Sequence, residues 1–228
     1  MEALDRIFLF THIAAGTISL LIFWIPVFTK KGGKLHNKAG IFYTYTMWIV
    51  VVTAALLSII NLVQGDHITA AFLGFLTVLT GHPLWYAVSI LNHKKDIPIS
   101  LIRLRKLLLA TLVFGGAGLV IWSIILKVKG ASILLLIFGI LGMTQAPLLF
   151  RSDEKAQSEG NWIAAHINGM ITTGIAAYTA FFAFGGSAFF GGIFSGSLVA
   201  IPWILPSIIG TIFTSRELRK RGYTGKAV

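Results

Sequence analysis

Seven long apolar segments constrain the fold of this chain more than any other feature. Each is about 20 residues or more long, which is enough for a helix to cross the hydrocarbon core of a bilayer. Strands of a membrane β-barrel would be about half as long and would alternate in polarity, so the pattern predicts helices. The segments are 7–29, 40–63, 68–91, 107–126, 131–150, 162–184 and 194–214.

The composition agrees with this pattern. Hydrophobic residues make up 56% of the chain and charged residues only 12%, whereas a soluble domain carries about a quarter charged residues. The absence of cysteine excludes disulfides and thiolate metal sites. We therefore predict an all-α, polytopic membrane protein, with one seven-helix transmembrane domain at 1–215 and a basic tail at 216–228.

The positive charges predict the orientation. If the first connection is cytoplasmic, then 92–106, 151–161 and the tail are cytoplasmic as well. These four segments hold all of the 19 lysines and arginines except Arg6, Lys127 and Lys129. This bias predicts an outside N-terminus and a cytoplasmic C-terminus in the inner (plasma) membrane. The basic segments should attract anionic lipids, and nothing in their placement favours nucleic acid.

Histidines are the ionisable residues that fall inside the apolar segments. His12 (THIAAG), His82 (TGHPLW) and His166 (AAHINGM) lie within the apolar segments, and His36, in KKGGKLHNKAG, lies at the cytoplasmic mouth of the second segment. An ionisable side chain is costly in a bilayer and indicates a functional site. At 1.5 Å per residue, His82 lies roughly 13 Å and His166 roughly 7 Å from the cytoplasmic side. We expect His36, His82 and His166 to converge in the inner leaflet and His12 to lie in the outer half.

Imidazole is a common ligand of haem iron and of Zn, Cu and Fe ions. We therefore predict a site for haem b or a transition metal, with His82 and His166 as the preferred ligand pair. His36 would be a third metal ligand or a proton relay, and His12 is the fourth candidate cofactor-binding residue. The alternative is that each histidine hydrogen-bonds a neighbouring helix and serves packing alone. The chain has no HxxxH or HExxH spacing, so the residue pattern leaves both interpretations open.

Three functions follow from these features. The first is a membrane oxidoreductase that exchanges electrons with a quinone dissolved in the bilayer. The second is a proton-linked carrier or channel whose path the histidines line. The third is an accessory subunit that packs in a homo-oligomer or a larger membrane complex. A retinal protein is excluded, because the last apolar segment has no lysine for a Schiff base.

Two stretches resemble a family of predicted bacterial multi-spanning membrane proteins that is classified as a domain of unknown function. THIAAGTISLLIFWIPVFTKKGGKLHNKAGIFYTYTMWI is similar to the start of that family, and HINGMITTGIAAYTAFFAFG is similar to a later helix. The resemblance covers about a third of the chain and implies roles for His12, His36 and His166. A histidine expected near the basic LIRLRK cluster is missing, unless His93 takes its place. A looser likeness to membrane b-type cytochromes rests on the helical histidines alone.

Overall fold

The structure, a computed structural model, describes residues 2–126, 131–145, 147, 162–185 and 201–223. Within these residues all regular structure is helical, and each of the seven α-helices matches one predicted apolar segment. A 3-10 turn at Ile90–Asn92 extends the third helix, and a π-helical turn at Phe181–Gly185 extends the sixth. The α-helices are α1 (Glu2–Phe28), α2 (Lys34–Val63), α3 (His67–Ser89), α4 (Ile99–Leu126), α5 (Ala131–Met143), α6 (Trp162–Ala180) and α7 (Ile201–Arg219).

The helices differ from the predicted segments mainly at their polar ends. α2 begins at Lys34 and α4 at Ile99, so His36 and the LIRLRK cluster are helical rather than parts of connections. α7 continues to Arg219, beyond the predicted boundary at 215. Hydropathy detects only the part of a helix that matches the lipid core, whereas backbone hydrogen bonds continue the helix into the polar region. Residues 146, 148–150 and 194–200 of the predicted segments lie outside the described residues.

Within the described residues, four helices are long and apolar enough to cross a membrane: α1, α2, α3 with its 3-10 turn, and α4. Their outward faces carry large apolar side chains, with Phe10, Leu21 and Ile125 each at least 70% exposed. A soluble protein would expose a far smaller contiguous apolar surface to water. The chain is therefore a membrane protein.

The turn between α2 and α3 shows how the chain reverses in few residues. Gly65 adopts a φ of 85°, a left-handed conformation that glycine adopts without a steric penalty. The carboxylate of Asp66 then accepts a hydrogen bond from the backbone N–H of Thr69 at 3.0 Å and caps the start of α3. Gln64, Gly65 and Asp66 are thus sufficient to join two antiparallel helices.

α3 occupies the centre of the described bundle, packed against α2, α4 and α6. α1 packs along α2, α5 along α4 and α7 along α6. One buried cluster joins α3 with α4 and α5 through Phe75, Leu112 and Phe138. Another joins α1, α2 and α3 through Phe23, Tyr43 and Leu84. The position of α3 brings three different helices against the turn that contains His82.

Candidate functional site

Neighbouring residues of α3 face different helices, because each residue turns an α-helix by about 100°. Tyr86 faces α4, where the guanidinium carbon of Arg105 lies 4.3 Å from the centre of its ring. Ala87 faces α6, and a methyl group added at Gly169 would lie 2.5 Å from the Ala87 Cβ. Leu84 faces α2, in the cluster that contains Tyr43.

His82 lies on the α4 side of α3, one turn before Tyr86. The two rings are nearly parallel, with 15° between their planes and 6.4 Å between their centres. Arg105 is close enough to act electrostatically on the imidazole. The side chain is only 8% exposed, and its Nε2 atom is buried without a hydrogen-bond partner among the described residues. His82 is therefore a buried polar group whose hydrogen-bonding capacity is incompletely used.

His166 joins α6 to α3. Its Nδ1 lies 2.9 Å from the carbonyl oxygen of Ala87, and since a carbonyl only accepts, this nitrogen must carry the proton. Gly169, one turn later, allows the close approach of the two helices, because a side chain there would collide with Pro83 and Ala87. In the neutral imidazole the remaining Nε2 atom then carries a lone pair.

His36 makes a similar bond at the end of α1. Its Nδ1–H donates to the Pro26 carbonyl at 2.9 Å, and the Lys31 ammonium donates to the same oxygen at 2.7 Å. The last carbonyls of a helix have no partner within the helix, so these two side chains cap α1. The Nε2 atom of a neutral His36 also keeps its lone pair.

His36 and His166 lie on corresponding faces of α2 and α6. Tyr43 and Thr173 each follow one of these histidines by seven residues, which is nearly two full turns, and their hydroxyl groups are 2.8 Å apart. Both helices run antiparallel to α3, so both histidines lie on the same side of this Tyr–Thr contact. His36 and Lys31 act electrostatically on His166. The structure thus places His36 and His166 on the same side of the Tyr43–Thr173 contact, at the end of the bundle that the charges predict to be cytoplasmic.

His12 lies in the N-terminal half of α1, away from these groups. Its Nδ1 is 3.2 Å from the Val50 carbonyl and 3.0 Å from the Thr53 hydroxyl, both on α2. These contacts show that His12 connects α1 to α2 by hydrogen bonding. The resemblance grouped it with His36 and His166, but the structure gives it a separate location.

The predicted convergence of His36, His82 and His166 differs from the arrangement in the structure. His82 points towards α4, whereas His166 contacts the face of α3 that carries Ala87. The described residues contain no group of three or more His, Cys, Asp or Glu side chains that could hold a metal ion. A three-histidine metal centre therefore has no support from the geometry, and haem binding stays a prediction.

Tyr86 and Arg105 were not predicted as site residues. The spacing of four between His82 and Tyr86 was visible in the sequence, and it places the two rings on one helix face. Arg105 was assigned to topology alone, since no pattern in LIRLRK indicates which of its cations faces α3. No protein family model, curated protein or solved structure matches this chain.

Proposed function

We propose that this chain is a seven-span protein of the inner (plasma) membrane in which His36 and His166 bind haem b or a transition metal. The N-terminus is outside and the C-terminus cytoplasmic, as the lysines and arginines indicate. The observation that carries the proposal is the hydrogen bonding of the two imidazoles. Each Nδ1–H donates to a backbone carbonyl at 2.9 Å, which leaves both Nε2 lone pairs available for coordination.

Carbonyl-bound imidazoles are typical of metal ligands. A histidine that binds a metal usually donates its other N–H to a carbonyl, a carboxylate or water, which orients the ring and increases its basicity. Here the Pro26 carbonyl of α1 orients His36, and the Ala87 carbonyl of α3 orients His166. The rings are therefore held by helices other than their own. His36 replaces His82 in the predicted pair, because His82 and His166 lie on different sides of α3.

Two protein ligands favour haem over a bare ion. A zinc ion in a protein takes about four ligands, usually from at least three side chains, and the described residues contain no third candidate beside the pair. Haem iron already has its porphyrin nitrogens and needs two axial ligands. Haem b would supply one-electron transfer, which suits a membrane oxidoreductase with a quinone as electron partner.

A proton-linked carrier is the second candidate, and one observation favours it. His36 lies at the partly exposed start of α2, on the same side of the Tyr43–Thr173 contact as His166. Histidine side chains along such a path can pass a proton between the cytoplasm and the bundle interior. This function would use the same residues without a bound cofactor.

The test starts from membranes, before detergent can remove a cofactor. Absorbance spectra are recorded as isolated and after dithionite, together with iron, copper and zinc content of the purified protein. We expect a Soret band and a reduced α-band that His36→Ala and His166→Ala abolish. His67→Ala, at the exposed start of α3, and His82→Phe should keep both bands. Retention of the bands in His82→Phe would favour the pair of His36 and His166 over the pair of His82 and His166 predicted from the sequence.

Membranes without haem bands, together with purified protein without metal, would reject the cofactor proposal. The His166→Gly variant distinguishes loss of the ligand from misfolding. Added imidazole can replace the missing ligand and restore the bands only if the site is intact. For the carrier, proton flux into proteoliposomes should fall in His36→Ala and His166→Ala and persist in His67→Ala. Flux unaffected by either substitution would reject that candidate.

A further inference from the structure

A lateral cleft separates α3 from α4 on the outer side of His82. It has a volume of about 230 Å³ and is lined by Ala71, Gly74 and Val78 of α3 and by Thr111 and Gly115 of α4, with Phe75 and Leu119 at its walls. Thr111 and Gly115 are exposed. Because both helices are long and apolar enough to cross a membrane, the cleft opens to the lipid and not to water.

Small residues create this cleft. Gly115 brings no side chain to the seam, and a methyl group added there would come within 3.5 Å of Phe75. Ala71 and Thr111 likewise leave space between the helices. An apolar gap of this size does not hold water well, so in a bilayer an apolar chain is the natural occupant.

The cleft and His82 belong to one seam. Val78 lines the cleft, His82 follows it by four residues and Tyr86 follows by four more, so all three share a face of α3. The distance from Val78 to Tyr86 along the helix is roughly 12 Å. On α4 the order is reversed, from Thr111 in the cleft to Arg105 over the Tyr86 ring. The apolar gap therefore ends one helical turn before a buried imidazole, which is followed by a phenol and a guanidinium.

We propose that this α3–α4 seam binds a lipid-soluble quinone, with its chain in the cleft and a ring carbonyl hydrogen-bonded to His82. His82 can supply the hydrogen-bond donor, because its Nε2 atom is buried and has no partner among the described residues. A quinone carbonyl accepts a hydrogen bond from an imidazole N–H, and the nearby positive charge of Arg105 favours an electron-rich oxygen. The proposal concerns binding and requires no bound metal.

Other occupants of the bilayer fit less well. The acyl chain of a phospholipid has no hydrogen-bonding atom at this depth, so it would leave the His82 imidazole unsatisfied. A fatty acid would place a charged carboxylate inside the membrane, which is costly even beside one cation. A neutral quinone fills the gap and satisfies the nitrogen without burying a charge.

The test titrates decylubiquinone into the purified protein in nanodiscs and follows the quenching of tryptophan fluorescence. We expect saturable binding above the level of empty nanodiscs. His82→Phe, which keeps a ring but removes the donor, should weaken binding about tenfold, equivalent to one hydrogen bond of about 1.4 kcal/mol. Thr111→Phe, which fills the cleft from its exposed side, should weaken it by at least as much.

Matched controls decide between binding in the seam and general partition into lipid. Ile124→Phe adds a similar ring to another exposed position of α4, 65% exposed and outside the cleft, and should bind like the unchanged protein. A decyl chain on a benzene ring without carbonyls should lose the dependence on His82 but keep the dependence on Thr111.

Two results would overturn the proposal. The first is binding to the unchanged protein no stronger than to empty nanodiscs. The second is quinone binding that Thr111→Phe leaves intact, since this variant changes only a lipid-exposed position and should fold. Neither result bears on haem binding by His36 and His166, because the two proposals use different residues and different probes.

Discussion

His12, His36 and His166 share one pattern of hydrogen bonding. In each, Nδ1 contacts a backbone carbonyl of a neighbouring helix, at Val50, Pro26 and Ala87 respectively. In a bilayer such bonds satisfy a polar ring that lipid cannot solvate. His82 departs from the pattern, with a buried Nε2 atom that has no partner among the described residues. His36 and His166 thus each keep an Nε2 lone pair for coordination, whereas the Nε2 atom of His82 is available to donate a hydrogen bond to a ligand.

The contact between Tyr43 and Thr173 yields an asymmetric prediction. The Thr173 hydroxyl also donates to the Met170 carbonyl at 2.8 Å, so the Tyr43 hydroxyl must be the donor in the contact between them. Tyr43→Phe should cost about 0.5–1.5 kcal/mol of unfolding free energy, because it removes one bond and leaves Thr173 paired. Thr173→Val should cost about 1–3 kcal/mol, because it leaves the tyrosine hydroxyl buried and unsatisfied.

Unfolding in mixed micelles would measure both variants. The destabilisation of the double variant should be smaller than the sum for the two single variants. The reason is that Tyr43→Phe removes the hydroxyl that Thr173→Val would leave buried without a partner. Equal costs for the two single substitutions would contradict the assigned direction of the bond.

At the scale of helices, close approach depends on where glycine lies. Gly169 permits α6 to contact the backbone of α3, with the Pro83 carbonyl 2.7 Å from the position a methyl group would take. Backbone atoms at such a crossing cannot move aside without separating the helices. This crossing also sets the distance between His166 and the Ala87 carbonyl that orients it.

Gly169→Ala should therefore destabilise the protein by about 1–3 kcal/mol through overpacking, even though alanine is the better helix former. Gly118→Ala is the matched control, because nothing lies within 4 Å of the added methyl group. It should be neutral or stabilise the protein by up to about 1 kcal/mol. Thermal unfolding of the detergent-purified variants would test the contrast. Equal effects of the two substitutions would contradict the close approach of α3 and α6.

The cap of α3 predicts a dependence on pH. Hydrogen bonds from Thr69 lower the pKa of Asp66 below its ordinary value of 3.8. Because the folded state favours the charged carboxylate, the cap stabilises fully above the unfolded pKa of about 3.9. Its contribution is lost as the pH falls through the lower folded value.

Asp66→Ala should cost about 0.5–1 kcal/mol near neutral pH, at the lower end for a cap because Asp66 is exposed. The difference from the unchanged protein should shrink when unfolding is measured near pH 2, because protonation of the carboxylate at low pH removes its charge from the cap. Asp66→Asn should retain most of the cap at both pH values. A penalty for alanine that is the same at both values would show that the charge does not contribute.

At the scale of the whole molecule, the testable property is orientation. The chain contains no cysteine, so single cysteines can be introduced without background. Gln64→Cys, in the turn between α2 and α3, should react with a membrane-impermeant maleimide in intact cells. Lys95→Cys, in the connection after α3, should react only after permeabilisation. The reverse labelling pattern would show that the orientation is opposite to the predicted one. Reaction of both cysteines in intact cells would show that α3 does not cross the membrane.

The existence and approximate limits of the helices could be predicted from the sequence, because apolar length and charge placement act locally along the chain. Histidine depth could be estimated for the same reason. The starts of α2 and α4 were predicted too late, since Lys34–Ala39 and Ile99–Lys106 are helical but too polar for hydropathy to detect.

Which histidines meet was decided by tertiary structure alone. A helix that is apolar all round has no polar face that would reveal its rotation, and α3 is such a helix. A step of one residue turns the side chain by about 100°. That step puts His82 beside Tyr86 and Arg105 and leaves Pro83 and Ala87 against Gly169. Seven apolar segments and their flanking charges determine a bundle and its orientation, but only helix–helix packing selects the faces that form a site.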